Sequence, residues 1–212
     1  MREYLKIETV YARDIDGSKK LIEGQYRSEA LEFLKDCQFD WTEKVDGTNI
    51  RILWDGHTVT LGGRTDKAQI PADLVNYLNK VFCTPEAEEM FEQKFGESEV
   101  ILFGEGYGKK IQGVGSLYIP DGVSFIMFDV IVGDTWLKRE SVEDIAKAFG
   151  VDVVPIVGTG TIEEAVNYVK THKTSTISEK APLEGVVCRP RVELFDRMGR
   201  RIIVKIKGRD FT

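Results

Sequence analysis

The longest nearly unbroken apolar stretch of this 212-residue chain is VSFIMFDVIV, from Val123 to Val132. Such a run is typical of a strand that lies inside a sheet and is covered on both faces. Helical patterns precede and follow it, among them 71–82, 85–95 and 161–173. We therefore predict one domain over residues 1–212, of the α+β class, with mostly antiparallel sheet and helices outside.

The composition narrows the kinds of site that the chain can hold. Hydrophobic residues make up 42% and charged residues 30% of the chain, as in an ordinary soluble globular protein. No apolar run approaches the roughly 20 residues that span a bilayer, and the N-terminus lacks a signal-peptide core. The three scattered cysteines predict reduced thiols and a cytoplasmic location, the host cytoplasm if the protein is viral. Two histidines are too few for a histidine-based zinc site or a catalytic triad.

The charge is distributed unevenly along the chain. The net charge is -6, yet the segment 189–209 has eight basic and two acidic residues and therefore a net charge of +6. A predicted hairpin over 192–208 carries most of these residues. Such asymmetry favours contact with a polyanion at this end of the chain. A solvated hairpin face is the alternative interpretation.

The stretch DWTEKVDGTNIRILWDG, Asp40 to Gly56, has a lysine inside a predicted strand. Lysine is disfavoured in strands and is rarely buried. Gly47, which soon follows Lys44, indicates that the backbone approaches another group closely. An edge-strand lysine followed by an Asp-Gly turn is the simpler alternative.

Three other charged groups lie at strand ends in the same manner. Glu105 stands between glycines at the end of an apolar strand, and Glu184 precedes a glycine at the start of another. Lys205 and Lys207 alternate with apolar residues and therefore share one face of a strand. A lysine amine attacks only in its neutral form, which nearby cations and a metal ion favour. The same cations stabilise charge on a phosphate, so this set fits attack of Lys44 on the α-phosphate of a nucleotide.

The motifs EKVDGTN, GEGYG, FIMFDV, LEGVV and VKIK occur in this order and span most of the chain, from Glu43 to Lys207. The series resembles that of the covalent nucleotidyltransferases, which are the polynucleotide ligases and the mRNA capping enzymes. Asn49, together with FGEGYGKKIQ downstream, is similar to the ATP-dependent RNA ligases of the phage nick-sealing type. The resemblance implies an adenylation-domain fold whose sheets form a nucleotide pocket, and ATP with Mg²⁺ (or Mn²⁺) as cofactors.

The resemblance also implies catalytic roles. Lys44 would become the lysyl-AMP, and Lys205 and Lys207 would contact the α-phosphate. Glu184 would organise the catalytic metal ion.

A second group would bind the nucleotide. Glu43 would hold the adenine edge, Phe128 would stack on the base, Glu105 would bind the ribose, and Arg64 would lie near the sugar and phosphates. Phe128 as a core residue and Arg64 as a surface residue are the alternatives. The group is completed by two residues that would order the loop and the phosphate side of the pocket, Asp46 and Asn49.

RNA ends, either at a duplex nick or single-stranded, are the implied partner. Relatives generally carry a further C-terminal domain, whereas this chain ends just after the final motif, so we expect efficient self-adenylylation and weak sealing. Weak RNA contacts are then expected from basic side chains of this domain: Lys109, Lys110, Arg197, Arg200 and Arg201.

Two other functions stay open. A GTP-dependent guanylyltransferase is disfavoured by Asn49, because capping enzymes usually carry arginine there. A non-catalytic nucleotide- or RNA-binding module of the same fold is disfavoured by the retention of Lys44, since binding alone needs no nucleophile.

Overall fold

The computed structural model describes residues 1–18 and 20–211. The strands of these residues are β1 (Glu8–Thr9), β2 (Tyr11–Arg13), β3 (Leu21–Tyr26), β4 (Phe39–Glu43), β5 (Thr48–Trp54), β6 (Val59–Gly62), β7 (Val100–Gly108), β8 (Val123–Val132), β9 (Thr135–Trp136), β10 (Asp152–Val153), β11 (Ile156–Gly160), β12 (Gly185–Pro190) and β13 (Val204–Lys207). The α-helices are α1 (Glu29–Leu34), α2 (Ala72–Phe82), α3 (Pro85–Phe95), α4 (Gly115–Tyr118), α5 (Arg139–Ala148) and α6 (Ile162–Thr171), and a 3₁₀ helix covers Gly208–Phe211.

Backbone contacts divide the chain into two compact units. The first unit comprises Met1–Leu5 and Asp46–Val154, and the second comprises Lys6–Val45 and Pro155–Thr212. None of the described helices is both long enough and apolar enough to cross a membrane.

The first unit is built on a sheet with the strand order β10-β8-β7-β5-β6, and β9 also pairs with β8. The pairs are antiparallel except for β10 with β8, which is parallel. One face packs against α2, α3 and α5 through a core that includes Phe125, Met127 and Val130 of β8. Ile131 of β8 packs in a separate cluster with Ile101 and Phe103. The predicted interior strand, covered on both faces, is therefore confirmed.

The second unit is built on a sheet with the order β1-β13-β12-β4-β11, in which only β1 and β13 pair in parallel. Helix α6 contacts this sheet at β11, β12 and β13. Its N-terminus has the predicted capping box, in which the Thr161 and Glu164 side chains exchange hydrogen bonds with each other's backbone N–H. Ile162, Ala165, Val166 and other buried residues of α6 join the core of this unit.

Two local predictions were wrong. Strand β4 ends at Glu43, so Lys44 lies just beyond the strand rather than inside it. The hairpin over 192–208 forms only in part, because β13 begins at Val204 and a single bridge joins Phe195 to Arg201. Side chains of the intervening loop bind its backbone N–H groups, as described below, which leaves a shorter ladder.

Candidate active site

Lys44 is positioned by the central part of the sheet of the second unit. Its backbone N–H donates to the carbonyl oxygen of Gly185 over 2.9 Å, which extends the pairing of β4 with β12 beyond the end of β4. The side chain is 24% exposed, and its Nζ donates to Oε2 of Glu184 over 2.7 Å. The predicted nucleophile is therefore held in place and partly open to solvent.

Glu184 is bound from two sides. Its Oε1 lies 2.7 Å from Nζ of Lys207, which belongs to β13 and pairs with Gly185. The backbone carbonyl of Glu184 accepts a hydrogen bond from Gly208, so both ends of this residue are fixed. One carboxylate thus bridges two ammonium groups. Lys205 extends from the same strand, where it pairs with Val187.

The cluster of Lys44, Glu184 and Lys207 combines three capabilities. It offers an amine, a carboxylate within hydrogen-bond distance that can accept the proton of that amine, and a second cation beside them. Cations next to a nucleophile can also stabilise an anionic group that the nucleophile attacks.

Glu43 is almost fully buried, with 1% of its surface exposed. Its Oε1 accepts a hydrogen bond from the Ser175 hydroxyl, and its Oε2 accepts from the hydroxyl and the backbone N–H of Thr176, the latter over 2.8 Å. A loop of residues 173–183 supplies these donors and leads directly into Glu184. Sequence analysis missed Ser175 and Thr176. The polar run TSTIS was the one available signal, and it resembles any exposed loop.

In the first unit, Asp46 and Gly47 form the bend that enters β5. A Cβ atom on residue 47 would collide with the carbonyl oxygen of Gly106, so the expected close approach of the backbone is present here. Gln112 donates from its side chain to the carbonyl oxygen of Gly47 over 2.9 Å. Gln112 has a positive φ of 54°, which is rare for a residue other than glycine.

Asn49 lies within β5 and pairs directly with Glu105 of β7. Residues opposite each other in a pair of strands project from the same face, so the two side chains are neighbours. The Oδ1 atom of Asn49 is buried, and no donor among the described residues binds it. Buried acceptors are normally satisfied, so this atom needs an explanation.

Phe128 is the extra residue of a β-bulge, because Phe103 and Gly104 pair with Asp129 and Met127. Its ring is half-buried and meets Tyr4 edge to face, with ring centroids 5.0 Å apart. Bulges reorient side chains next to functional sites, so the bulge is compatible with base stacking and also with packing.

Of the remaining predicted residues in this unit, Arg64 is exposed and follows β6. Lys109 is exposed and forms an ion pair with Asp121. Lys110 is also exposed and has a positive φ of 63°.

The predicted RNA contacts of the second unit lie on residues 191–201, which we call the arginine loop. Arg197 and Arg200 are exposed. Arg201, in contrast, is buried, and its guanidinium donates twice to the carboxylate of Glu193. The structure therefore weighs against Arg201 as a surface contact, because its charge is already paired inside the loop.

A metal ion could draw few ligands from the protein alone. Across residues 1–18 and 20–211, no group of three or more histidine, cysteine, aspartate or glutamate side chains could hold a metal ion. Mg²⁺ is commonly bound through one or two carboxylates together with water and phosphate oxygens. Glu184 fits an ion of that kind, one that arrives with a nucleotide.

Comparison with known proteins adds the family. The family described as RNA ligase matches residues 38–207, which is most of the chain and includes residues of both units. The chain belongs to the RNA ligase family. The predicted enzyme class is thereby confirmed, and the family is one of ATP-dependent nucleotidyltransferases. No curated protein matches this RNA ligase family member.

Solved structures of a Naegleria gruberi RNA ligase are similar to this family member. The structure with PPi has 21% identity and a TM-score of 0.62, and the match covers 85% of this chain and 52% of that one. A mutant with ATP and Mn has 19% identity and a TM-score of 0.65, with 98% and 56% covered. A mutant with AMP and Mn has 18% identity and a TM-score of 0.64, with 97% and 62% covered.

At these identities the likeness shows the fold, so the predicted α+β adenylation-domain fold is confirmed. This RNA ligase family member spans between 52% and 62% of the length of these relatives.

Proposed function

We propose that this protein is an ATP-dependent RNA ligase of the phage nick-sealing type, which joins 3′-OH and 5′-phosphate RNA ends through a lysyl-AMP on Lys44. The observation that carries the proposal is the contact of Lys44 and Lys207 with the two oxygens of Glu184. We also propose that residues 1–212 act as one nucleotidyltransferase domain, since the family match includes residues of both units.

In the first step, Nζ of Lys44 attacks the α-phosphorus of ATP. The N–P bond forms, the bond to the β-phosphate oxygen breaks, and pyrophosphate leaves. Glu184 lies within hydrogen-bond distance of Nζ and can accept its proton. Lys207, with Lys205 on the same face of β13, stabilises the charge that develops on the α-phosphate. Mg²⁺ or Mn²⁺ supplies further neutralisation of the phosphates when it is bound.

In the next two steps, the 5′-phosphate of one RNA end attacks the AMP on Lys44, and the 3′-OH of the other end then displaces AMP. Both steps need RNA held in register, which contacts to phosphates provide. The titles of the Naegleria structures name ATP, AMP and Mn, which supports the proposed cofactors. Glu43, Asp46, Asn49, Arg64, Glu105 and Phe128 remain the proposed nucleotide contacts.

Covalent labelling tests the proposal. The protein is incubated with Mg²⁺ and either [α-³²P]ATP or [α-³²P]GTP, and the modified peptide is identified by mass spectrometry. We expect label from ATP on Lys44, none in Lys44→Arg, and normal labelling in Lys173→Arg, a control at an exposed lysine of the same unit. Label from GTP would instead indicate a guanylyltransferase, and no label from either nucleotide would indicate a binding module.

A further inference from the structure

The arginine loop exposes three large apolar side chains at intervals of three residues. Val192 is 72%, Phe195 53% and Met198 77% exposed. Isolated apolar residues at a surface are common, but several on one short segment mark an interaction site.

The loop is held in this shape by its own polar groups. The carboxylate of Asp196 accepts hydrogen bonds from the backbone N–H groups of Met198 and Arg200 and from the Arg200 side chain. These hydrogen bonds lower the pKa of Asp196. The buried Arg201 binds Glu193, and Ile202 donates to the carbonyl of Leu194. The exposed apolar side chains therefore stand on a fixed backbone, which reduces the entropy lost on binding.

The charges beside these side chains indicate the kind of partner. Arg191, Arg197 and Arg200 are exposed on the same loop, although the whole chain carries a net charge of -6. Alternating cationic and apolar or aromatic side chains are the combination that binds single-stranded nucleic acid, where the cations contact phosphates and the rings stack on bases. An apolar protein surface would gain little from the three arginines.

We propose that the arginine loop binds the RNA substrate as a single strand, with Phe195 and Met198 packed against bases and Arg197 and Arg200 on phosphates. This inference rests on the proposed function for the identity of the polyanion. It assigns base contacts to side chains that the charge pattern alone does not reveal.

The test compares Phe195→Ala with Phe33→Ala. Phe33 is a matched control, because it is 86% exposed on α1 of the same unit. The dissociation constant of a short fluorescein-labelled single-stranded RNA is measured by anisotropy over a range of salt concentrations. Loss of one base stack weakens binding about 5- to 100-fold. We expect a loss of this size in Phe195→Ala, a smaller loss in Met198→Ala, and no change in Phe33→Ala.

The salt dependence separates the two kinds of contact. Phe195→Ala should leave the slope of log K against log salt unchanged, because no phosphate contact is lost. Arg197→Gln combined with Arg200→Gln should lower that slope by about 1.4, at about 0.7 for each phosphate contact on a single strand. An RNA affinity of Phe195→Ala equal to that of the wild type, or a change in self-association by sedimentation instead, would overturn the proposal.

Lysyl-AMP formation distinguishes this inference from the proposed function. Phe195→Ala should form lysyl-AMP at the wild-type rate, which also shows that the variant is folded. If the wild type forms lysyl-AMP and Phe195→Ala binds RNA normally, only the loop assignment fails. If RNA binding depends on Phe195 but the wild type never forms lysyl-AMP, the ligase proposal fails and the loop assignment stands. As a second variant, Phe195→Trp should retain affinity and lose fluorescence when RNA binds.

Discussion

The Nζ atom of Lys44 lies 2.7 Å from Oε2 of Glu184, so the proposed nucleophile is held by a carboxylate at the start of the neighbouring strand. The same carboxylate binds Lys207. Removal of Glu184 therefore affects the proton acceptor and the placement of two lysines together.

Glu184→Gln should lower kcat for lysyl-AMP formation by at least about 100-fold, the usual effect of losing a general base. Excess ATP should not restore the rate, because the loss is in the chemical step rather than in binding. Stopped-flow or quench-flow labelling with ATP measures kcat and KM separately. Glu179→Gln, at an exposed position of the loop before Glu184, is the control. A normal kcat in Glu184→Gln would contradict the assigned role.

Ser175→Ala combined with Thr176→Val should lower the free energy of unfolding by about 1–3 kcal/mol, because the buried carboxylate of Glu43 then loses two of its three donors. Urea denaturation measures this loss. Thr174→Val changes an exposed threonine of the same loop and should have little effect. Equal stability of the two proteins would show that these hydroxyl groups do not support Glu43.

Asn49→Ala should impair lysyl-AMP formation without lowering the melting temperature. The buried Oδ1 of Asn49 has no donor within the described part of the chain, so removing it takes away a desolvated acceptor and costs the fold little. Melting curves and labelling rates, measured on the same preparation, check both halves of this prediction. A clear loss of stability with unchanged activity would assign Asn49 to the fold alone.

Cys188 should resist alkylation while the protein is folded. It is fully buried in the core of the second unit, and burial raises the pKa of its thiol, whereas Cys37 is exposed. Iodoacetamide at about pH 8.5, the ordinary thiol pKa, should modify Cys37 first and Cys188 only after unfolding. Because the unfolded thiol loses its proton and the buried one does not, this residue also lowers stability as the pH rises above that value. Peptide mass spectrometry at intervals during alkylation records the order, and early modification of Cys188 would contradict its burial.

Sequence reasoning located the residues whose type conflicts with their setting. Lys44, Glu184 and Lys207 could be singled out because a charge at the end of an apolar strand is unusual, and the structure brings these three together. The central strand β8 was predictable for a similar reason, since ten nearly continuous apolar residues require cover on both faces.

Other features could not be predicted because they depend on pairing across the fold. Counting charges gave Arg201 the same weight as Arg197, but an ion pair with Glu193 buries the first and leaves the second exposed. The support of Glu43 by Ser175 joins residues 132 positions apart, and no local periodicity reports such a contact.

The division of the chain has a consequence for how the protein folds. Residues 46–154 of the first unit are continuous, and their last strand ends at Val153. Strand β4, by contrast, pairs with β11 and β12, which lie more than 100 residues later along the chain. Contacts of such long range form slowly, and N-terminal segments leave the ribosome first. We expect the larger sheet to form while β4 still lacks partners, so Lys44 acquires its surroundings among the last steps of folding.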